Sequence, residues 1–205
     1  MRRFVAVLAV AFCLSAATSA EAQPEQPVAL SQILGAPLWA AGGRQPAIGS
    51  VEDLIVADDG RVQAIVQALV SDGGSGVAGR IVPWNDLAYD AVRNEFTLRA
   101  GGSLAGFQAW AEPGVEPGAE TPGTAGALLA SKLLEGLVKT PQGEDRGEVK
   151  DVHIGRDGTI RQVFFIRDRQ MASIPWAGVV VLPEQSEISA APGTEAIIVV
   201  DRKKL

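Results

Sequence analysis

The alternation of apolar and polar positions in the middle of the chain predicts β-strands. Apolar side chains recur at every second position from Val62 to Val70, so they lie on one face of an extended strand. An Asp59-Gly60 pair precedes this run and predicts a hairpin with a type I′ turn, because that turn needs residues that tolerate positive φ. Asp157-Gly158 opens a similar run further along the chain. The pattern therefore predicts paired short strands in two regions.

Further short elements surround these hairpins. Residues 80–84 form a predicted strand that proline ends, and a short helical turn follows at 84–87. Residues 88–98 predict a strand pair around Arg93-Asn94, and Ala196–Val200 predicts another strand. Only residues 128–134 have a clear helical pattern. Several short strands with turn signals between them predict an all-β fold with minor short helices, in the form of a small barrel or a strongly curved sheet.

The same series of residues occurs twice in the chain. Each copy has an opening serine, a G-x-V-x-D stretch, an Asp-Gly turn and a Pro-Trp pair, and the copies differ in length only between these features. The matching positions are Ser31 and Ser131, Gly49–Asp53 and Gly147–Asp151, Asp59-Gly60 and Asp157-Gly158, and Pro83-Trp84 and Pro175-Trp176. We therefore predict two tandem domains, residues 28–110 and 127–205, joined by a linker of Pro, Gly and Glu at 111–126.

The two predicted domains are expected to pack on one another as an intramolecular pseudo-dimer. A barrel of about 70 residues is marginal alone, because small domains bury a small fraction of their unfolded surface. We expect Phe164, Phe165 and Trp39 to contribute to the contact, and we place Trp39 and Trp110 at a domain or partner surface. Trp84 and Trp176 stand at equivalent positions and predict barrel core or end caps.

The N-terminal residues predict export. A short basic start precedes the apolar run Phe4–Leu14, and small residues follow up to Ala22. This order is typical of a signal peptide over residues 1–22, with cleavage before Gln23 and a periplasmic or otherwise secreted product. Cys13 leaves with that segment, so the mature chain is expected to contain no cysteine. The alternatives are an uncleaved anchor and a buried N-terminal strand.

Composition then limits the classes of function. The net charge is −6 and the sequence pI is about 4.9, whereas a nucleic-acid binder normally carries positive charge, so we expect no nucleic-acid partner. No other stretch of the sequence approaches transmembrane length, and we expect no stable membrane insertion after signal cleavage. The basic tip Arg202-Lys203-Lys204 is interpreted as a solvated tail, with contact to anionic lipid as the alternative.

Two constellations carry candidate chemistry. Asp151 and His153 lie two apart on a predicted strand, so they share a face and resemble half of a general-base arrangement. Asp58 and Asp59 form an acidic turn that offers oxygen ligands to a cation. No nucleophile elbow, calcium loop or phosphate loop completes either set. We therefore assign no catalytic, metal or cofactor residues, and keep a periplasmic hydrolase and a weak cation- or ligand-binding protein as alternatives.

The order of the repeated features resembles the PRC-barrel domain family. The resemblance covers residues 30–98 and 128–182, and it depends on the opening serine, G-x-V-x-D, Asp-Gly and Pro-Trp occurring twice in one order. The family implies a small β-barrel, which occurs in the photosynthetic reaction-centre H subunit and in a bacterial ribosome-maturation factor. In both relatives it serves interaction and assembly. This chain departs from these relatives because it is acidic and is predicted to be exported, so their partners do not carry over. The resemblance, taken with the predicted export, implies a non-enzymatic exported interaction or assembly module with a protein partner of unknown identity.

Overall fold

The structure is a computed structural model that describes residues 26–42, 46–69, 79–99, 101, 103–110, 128–183 and 192–200. Several predicted features lie outside the described residues. These are the signal peptide at 1–22, the linker at 111–126 and the basic tip at 202–204.

The first copy of the repeat forms one curled sheet. Its elements follow in chain order, and the first strand pairs with the other sheet. They are β1 (Val28–Ala29), α1 (Leu30–Ile33), β2 (Pro37–Trp39), β3 (Gly49–Val56), β4 (Val62–Ala68), β5 (Gly79–Pro83), a 3-10 turn (Trp84–Asp86), β6 (Leu87–Asp90), β7 (Glu95–Leu98) and β8 (Gln108–Trp110).

The second copy repeats this series as a second curled sheet. Its elements are β9 (Leu128–Leu129), α2 (Ala130–Leu133), β10 (Leu137–Lys139), β11 (Asp145–Ile154), β12 (Ile160–Arg167), β13 (Gln170–Pro175), a 3-10 turn (Trp176–Gly178), β14 (Val179–Pro183) and β15 (Ala196–Val200). The predicted all-β class is confirmed, because two curled sheets with two one-turn helices account for the described architecture.

The two sheets share one strand order. The first runs β6-β7-β2-β3-β4-β5-β8, and the second runs β14-β15-β10-β11-β12-β13. Each element of the first sheet up to β5 therefore has a counterpart at the same place in the second. β8 extends the first sheet, and no described strand lies beyond β13 in the second.

β15 runs in the opposite direction to β7, its counterpart in the first copy. β6 and β7 form an antiparallel hairpin that turns through Asn94 at φ +53°, which confirms the strand pair predicted around Arg93-Asn94. β14 and β15 instead pair in parallel. A parallel pair needs a connection longer than a tight turn, and twelve residues separate Pro183 from Ala196. The insertion in the second copy therefore reverses its last strand.

The Asp-Gly hairpins form at the predicted positions, but the predicted turn type is wrong. Gly60 donates its amide to Ala57 at 2.8 Å, so Asp58 and Asp59 are the central residues of the turn. Among the turn residues only Gly60, at φ +81°, has positive φ, whereas a type I′ turn requires it at both central positions. The Asp59 carboxylate accepts a hydrogen bond from the Arg61 amide. This bond stabilises the turn in which only Gly60 has positive φ. The pair Asp168-Arg169 has positive φ at both positions instead.

The helical pattern predicted at 128–134 is confirmed in part. Its helix, α2, spans only Ala130–Leu133, and residues 128–129 are a strand. The matching segment of the first copy is also helical, at Leu30–Ile33, which the pattern did not predict. In both helices the first and last residues are buried, so packing holds a single turn that is too short to be stable alone.

The opening segments of the two copies are exchanged. β1 of the first copy pairs with β11 of the second, and β9 of the second copy pairs with β3 of the first. α1 packs on β11 and α2 packs on β3 in the same manner. The chain then crosses back through three residues, 34–36 or 134–136, to begin β2 or β10. One continuous hydrophobic core, with residues of both copies, lies between the sheets.

Candidate functional site

The serine that opens each copy binds the aspartate of the other copy. Ser131 donates from its hydroxyl to Asp53 Oδ2 at 2.5 Å and from its amide to Oδ1 at 3.0 Å. Ser31 does the same to Asp151, at 2.5 Å and 3.2 Å. Asp53 is only 8% exposed, so these bonds replace the water that its carboxylate loses. The serine and the G-x-V-x-D aspartate are therefore two halves of one contact between copies.

The tryptophan that follows proline in each copy packs on the Asp-Gly turn of the other. Trp84 Nε1 donates to the carbonyl of Arg156 at 2.9 Å, and its ring lies against Gly158. The indole of Trp176 lies against Gly60. A Cβ on either glycine would collide with the facing ring, and both glycines have positive φ. The Asp-Gly and Pro-Trp features therefore also pair between copies.

The two Asp-Gly turns bond directly to each other. The amide of Val62 donates to Gly158 O at 2.8 Å, and the amide of Ile160 donates to Gly60 O at 2.9 Å. Arg61 and Thr159 form an antiparallel bridge between these bonds. The contacts of one copy repeat in the other, as across a two-fold axis. We call this set of contacts the interlock, defined by Ser31, Ser131, Asp53, Asp151, Gly60, Gly158, Trp84 and Trp176.

Asp151 and His153, the predicted pair, each contact a different residue. The Asp151 carboxylate accepts hydrogen bonds from the Ser31 amide and hydroxyl, and also from the Val152 amide at 2.8 Å. His153 packs instead on the ring of Phe164, with 4.2 Å between the ring centroids. The Asp151 carboxylate therefore takes part in the interlock. The His153 imidazole lies half-buried on the outer face of the second sheet.

One aspartate of each Asp-Gly turn forms an ion pair with an arginine. Asp59 Oδ2 lies 2.7 Å from Arg61 Nε, and Asp157 Oδ2 lies 2.7 Å from an Arg161 guanidinium nitrogen. Hydrogen bonds from the amide and the side chain of Arg61 lower the pKa of Asp59 below 3.8. Asp58 is exposed at the tip of the turn. Among the described residues, no group of three His, Cys, Asp or Glu side chains lies close enough together to hold a metal ion.

A groove of about 370 Å³ opens beside the interlock. The first copy contributes Asp59, Arg61 and Trp84 to its lining, and the second contributes Asp157 and Gly158. A ligand there would meet an ion pair that is already formed between Asp59 and Arg61. The groove is therefore where a cation- or ligand-binding alternative would have to act, in competition with Arg61.

The outer faces of the two sheets differ in polarity although their registers match. In the first sheet one row across the strands contains Pro37, Ser50, Gln67, Gly79 and Trp110. The equivalent row of the second sheet contains Leu137, Glu148, Ile166 and Met171. We call Leu137, Ile166 and Met171 the apolar row; the charged Glu148 lies between Leu137 and Ile166 in the register. They are 44%, 37% and 61% exposed, which is unusual for large apolar side chains aligned on one face.

The two sheets also differ at the edge of this outer face, which lies beyond β5 in the first sheet and beyond β13 in the second. In the first sheet β8 pairs antiparallel with β5 and sets Trp110 opposite Gly79. Trp110 and Leu129 then cover a small outer cluster of Ile55, Ile65 and Ile81. The counterparts of these isoleucines in the second sheet are His153, Phe164 and Ser173, as the strand registers show. Among the described residues no strand pairs with the outer side of β13, where Met171 is 61% exposed.

The predicted surface aromatics have different places. Trp110 is half-buried on the outer cluster of the first sheet, within its own copy. Phe165 joins the core that the copies share, whereas Phe164 lies on the outer face with His153, so its predicted role between the domains is wrong. Trp39 is half-buried at the end of β2, and its ring nitrogen is buried with no hydrogen-bond partner among the described residues. Trp84 is core, as predicted, at 7% exposed.

Sequence reasoning missed the apolar row. Its residues come from three strands, and Leu137 and Ile166 each stand next to a buried residue, which is usual in a half-buried strand. A residue-by-residue comparison from the Asp-Gly turns pairs Gln67 with Phe165. The equivalence of Gln67 with Ile166 appears only in the strand register, which shifts by one residue between His153 and Ile154.

Comparison with known protein families and with curated protein sequences found no match for this chain. Among the described residues, no helix has both the length and the hydropathy needed to cross a bilayer.

Proposed function

We propose that this chain is an exported, non-enzymatic assembly module in which two PRC-barrel-like copies form one rigid body that binds a protein partner. The observation that carries the proposal is the apolar row on the outer face of the second sheet. Exposed apolar side chains that align on one face mark interaction surfaces, because leaving them in water is unfavourable.

The use of the repeated residues supports this function. The shared serine, aspartate, glycine and tryptophan residues bind one another in the interlock, so their recurrence is explained by assembly of the two copies. Among them Asp151, which the hydrolase alternative needs, has both carboxylate oxygens occupied by Ser31. The order of these residues resembles the PRC-barrel family, and in the two relatives named above the module serves interaction and assembly.

Asymmetry between the copies supports a role for the second sheet in particular. The first copy covers its outer face with Trp110 and has Gln67 and Gly79 in its row. The second copy has larger apolar side chains at the same positions and leaves them exposed. A duplicated fold that needed only stability would gain nothing from this difference.

Site-specific photo-crosslinking in the exporting cell tests the proposal. A photoreactive residue replaces Ile166 in the apolar row, and in a matched control it replaces Val92, which is 96% exposed on the first copy. We expect adducts with another protein at position 166 and only background at position 92. Equal labelling at both positions, or none at position 166, would contradict the proposal. Fractionation of the same cells tests the predicted export.

A further inference from the structure

The edge strand β13 has few of the features that normally protect an open edge. Natural edges are blunted by charged side chains, by proline or by a covering element. β13 has the sequence QMASIP, which contains no charged residue and has its one proline, Pro175, at the end. Its counterpart β5 contains Arg80 and is covered by β8. β13 therefore offers main-chain groups and the exposed side chain of Met171 to another strand.

The first sheet shows which side chains fit such a junction. There an antiparallel strand sets a large residue, Trp110, opposite a small one, Gly79. A Cβ on Gly79 would lie 3.1 Å from the tryptophan ring, so the close fit depends on one partner being small. The outer face thus accepts an added strand when large and small side chains alternate across the junction.

β13 meets this requirement with a second copy of itself. Its outward residues are Met171 and Ser173, which are the partners of Ile166 and Phe164 in β12. In an antiparallel pair of two β13 strands centred on Ala172, each Met171 faces Ser173 of the other chain. A pair centred on Met171 would set two large residues opposite each other, and one centred on Ser173 would leave Met171 opposite Pro175.

We propose that two copies of this chain associate through β13, with Ala172 on the two-fold axis. Such a contact uses one surface on both chains and closes as a dimer, so it does not propagate. It joins the two second sheets edge to edge and extends the two apolar rows into one surface. Each Met171 then packs over Ser173 and toward Phe164 of the partner chain.

Sedimentation velocity of the purified exported chain tests this dimer. We expect a concentration-dependent monomer–dimer equilibrium for the natural sequence. Met171→Glu sets a carboxylate at both symmetry-related positions, so we expect loss of the dimer boundary. Val92→Glu is the matched control, because Val92 is exposed and far from β13 in sequence, and it should leave the dimer unchanged. Urea unfolding of each variant verifies that the variant is folded.

Cysteine pairing tests the register. The only natural cysteine, Cys13, lies in the predicted signal peptide, so introduced thiols are the only ones in the exported chain. Positions that face each other across antiparallel strands have Cβ atoms about 4.5–5.5 Å apart, and diagonal positions lie about 7–8 Å apart. A mixture of Met171→Cys and Ser173→Cys chains should therefore form an interchain disulfide, whereas neither variant should do so alone.

The outcomes separate this inference from the proposed function. A chain that stays monomeric at all concentrations would overturn the dimer. A dimer that survives Met171→Glu, or disulfides that form within a single variant, would show another interface or register and would also overturn it. A monomer that crosslinks another protein at position 166 would overturn the dimer and still support the proposed function.

Discussion

Ser131 donates a hydrogen bond to Asp53, which lies 78 positions earlier in the chain. The equivalent Ser31 donates one to Asp151, which lies 120 positions later. The two bonds are the same contact made twice across the exchanged segments. They explain why a serine and an aspartate recur in each copy although neither binds the other within its own copy.

The Ser131–Asp53 bond is expected to contribute more stability than its counterpart. Ser131→Ala leaves the buried Asp53 carboxylate without its hydroxyl donor, so we expect unfolding free energy to fall by about 1–3 kcal/mol. Ser31→Ala affects a more exposed pair and should cost less. Urea denaturation of both variants measures the difference. Equal losses, or no loss for Ser131→Ala, would show that burial does not govern these contacts.

Gly158→Ala is expected to disrupt the interlock. The new methyl group would lie 2.5 Å from the Trp84 ring, and the residue would also have to hold φ +75°. Gly42→Ala is a suitable control, because Gly42 has φ +92° and nothing within 4 Å of its Cβ position. The control isolates the backbone cost of about 1–3 kcal/mol, so thermal unfolding should show a larger loss for Gly158→Ala. A loss no greater than that of the control would refute a tight Trp84 contact.

The whole chain is expected to unfold in one transition. Each sheet is completed by an opening segment from the other copy, so neither half alone contains its covering helix. The fragments 28–110 and 127–205 should therefore melt below the intact protein, or remain unfolded, when calorimetry compares them. If each fragment melts at the temperature of the whole chain, the copies are independent domains.

Alkaline pH is expected to destabilise the fold through Tyr89. Burial, with a smaller contribution from the Asp90 charge, raises the pKa of Tyr89 above 10.0. A raised pKa in the folded state means that its stabilising contribution is present below the pKa of the unfolded chain and is lost as pH rises through the folded value. Tyr89 is the only tyrosine, so near-ultraviolet absorbance reports its ionisation alone.

The midpoint of that ionisation should be higher in the native protein than in urea. Tyr89→Phe should show a smaller loss of stability than the natural chain when both are taken from neutral to alkaline pH, because the titrating phenol is gone. The variant also lacks the 2.7 Å hydrogen bond from the Tyr89 hydroxyl to Asn94, so its stability at neutral pH is the reference. Identical midpoints in the folded and unfolded chains would contradict the burial of the phenol.

Signal cleavage before Gln23 remains a prediction. Ala20 and Ala22 provide the small side chains that a signal peptidase requires. N-terminal sequencing of the exported protein should begin at Gln23, and a product that begins at Met1 would contradict it.

The sequence by itself determined the strands, the hairpins and the presence of two copies. Alternation around the Asp-Gly turns depends on local chemistry, and the repeated order of serine, aspartate and tryptophan is visible without coordinates. The type of turn was not predicted correctly from the sequence, because the hydrogen bond from the Arg61 amide to Asp59 competes with the backbone preference of the Asp-Gly pair.

Only the tertiary structure decided which copy supplies the partner of each repeated residue. Ser131 has equivalent aspartates in both copies, so the sequence does not distinguish Asp53 from Asp151 as its partner. The choice is made by where the opening strand finds an unpaired edge. β9 takes the stretch of β3 that β2 leaves free, and β1 takes the matching stretch of β11. The exposed row of Leu137, Ile166 and Met171 was likewise hidden, because only strand register aligns residues from three separate strands on one face.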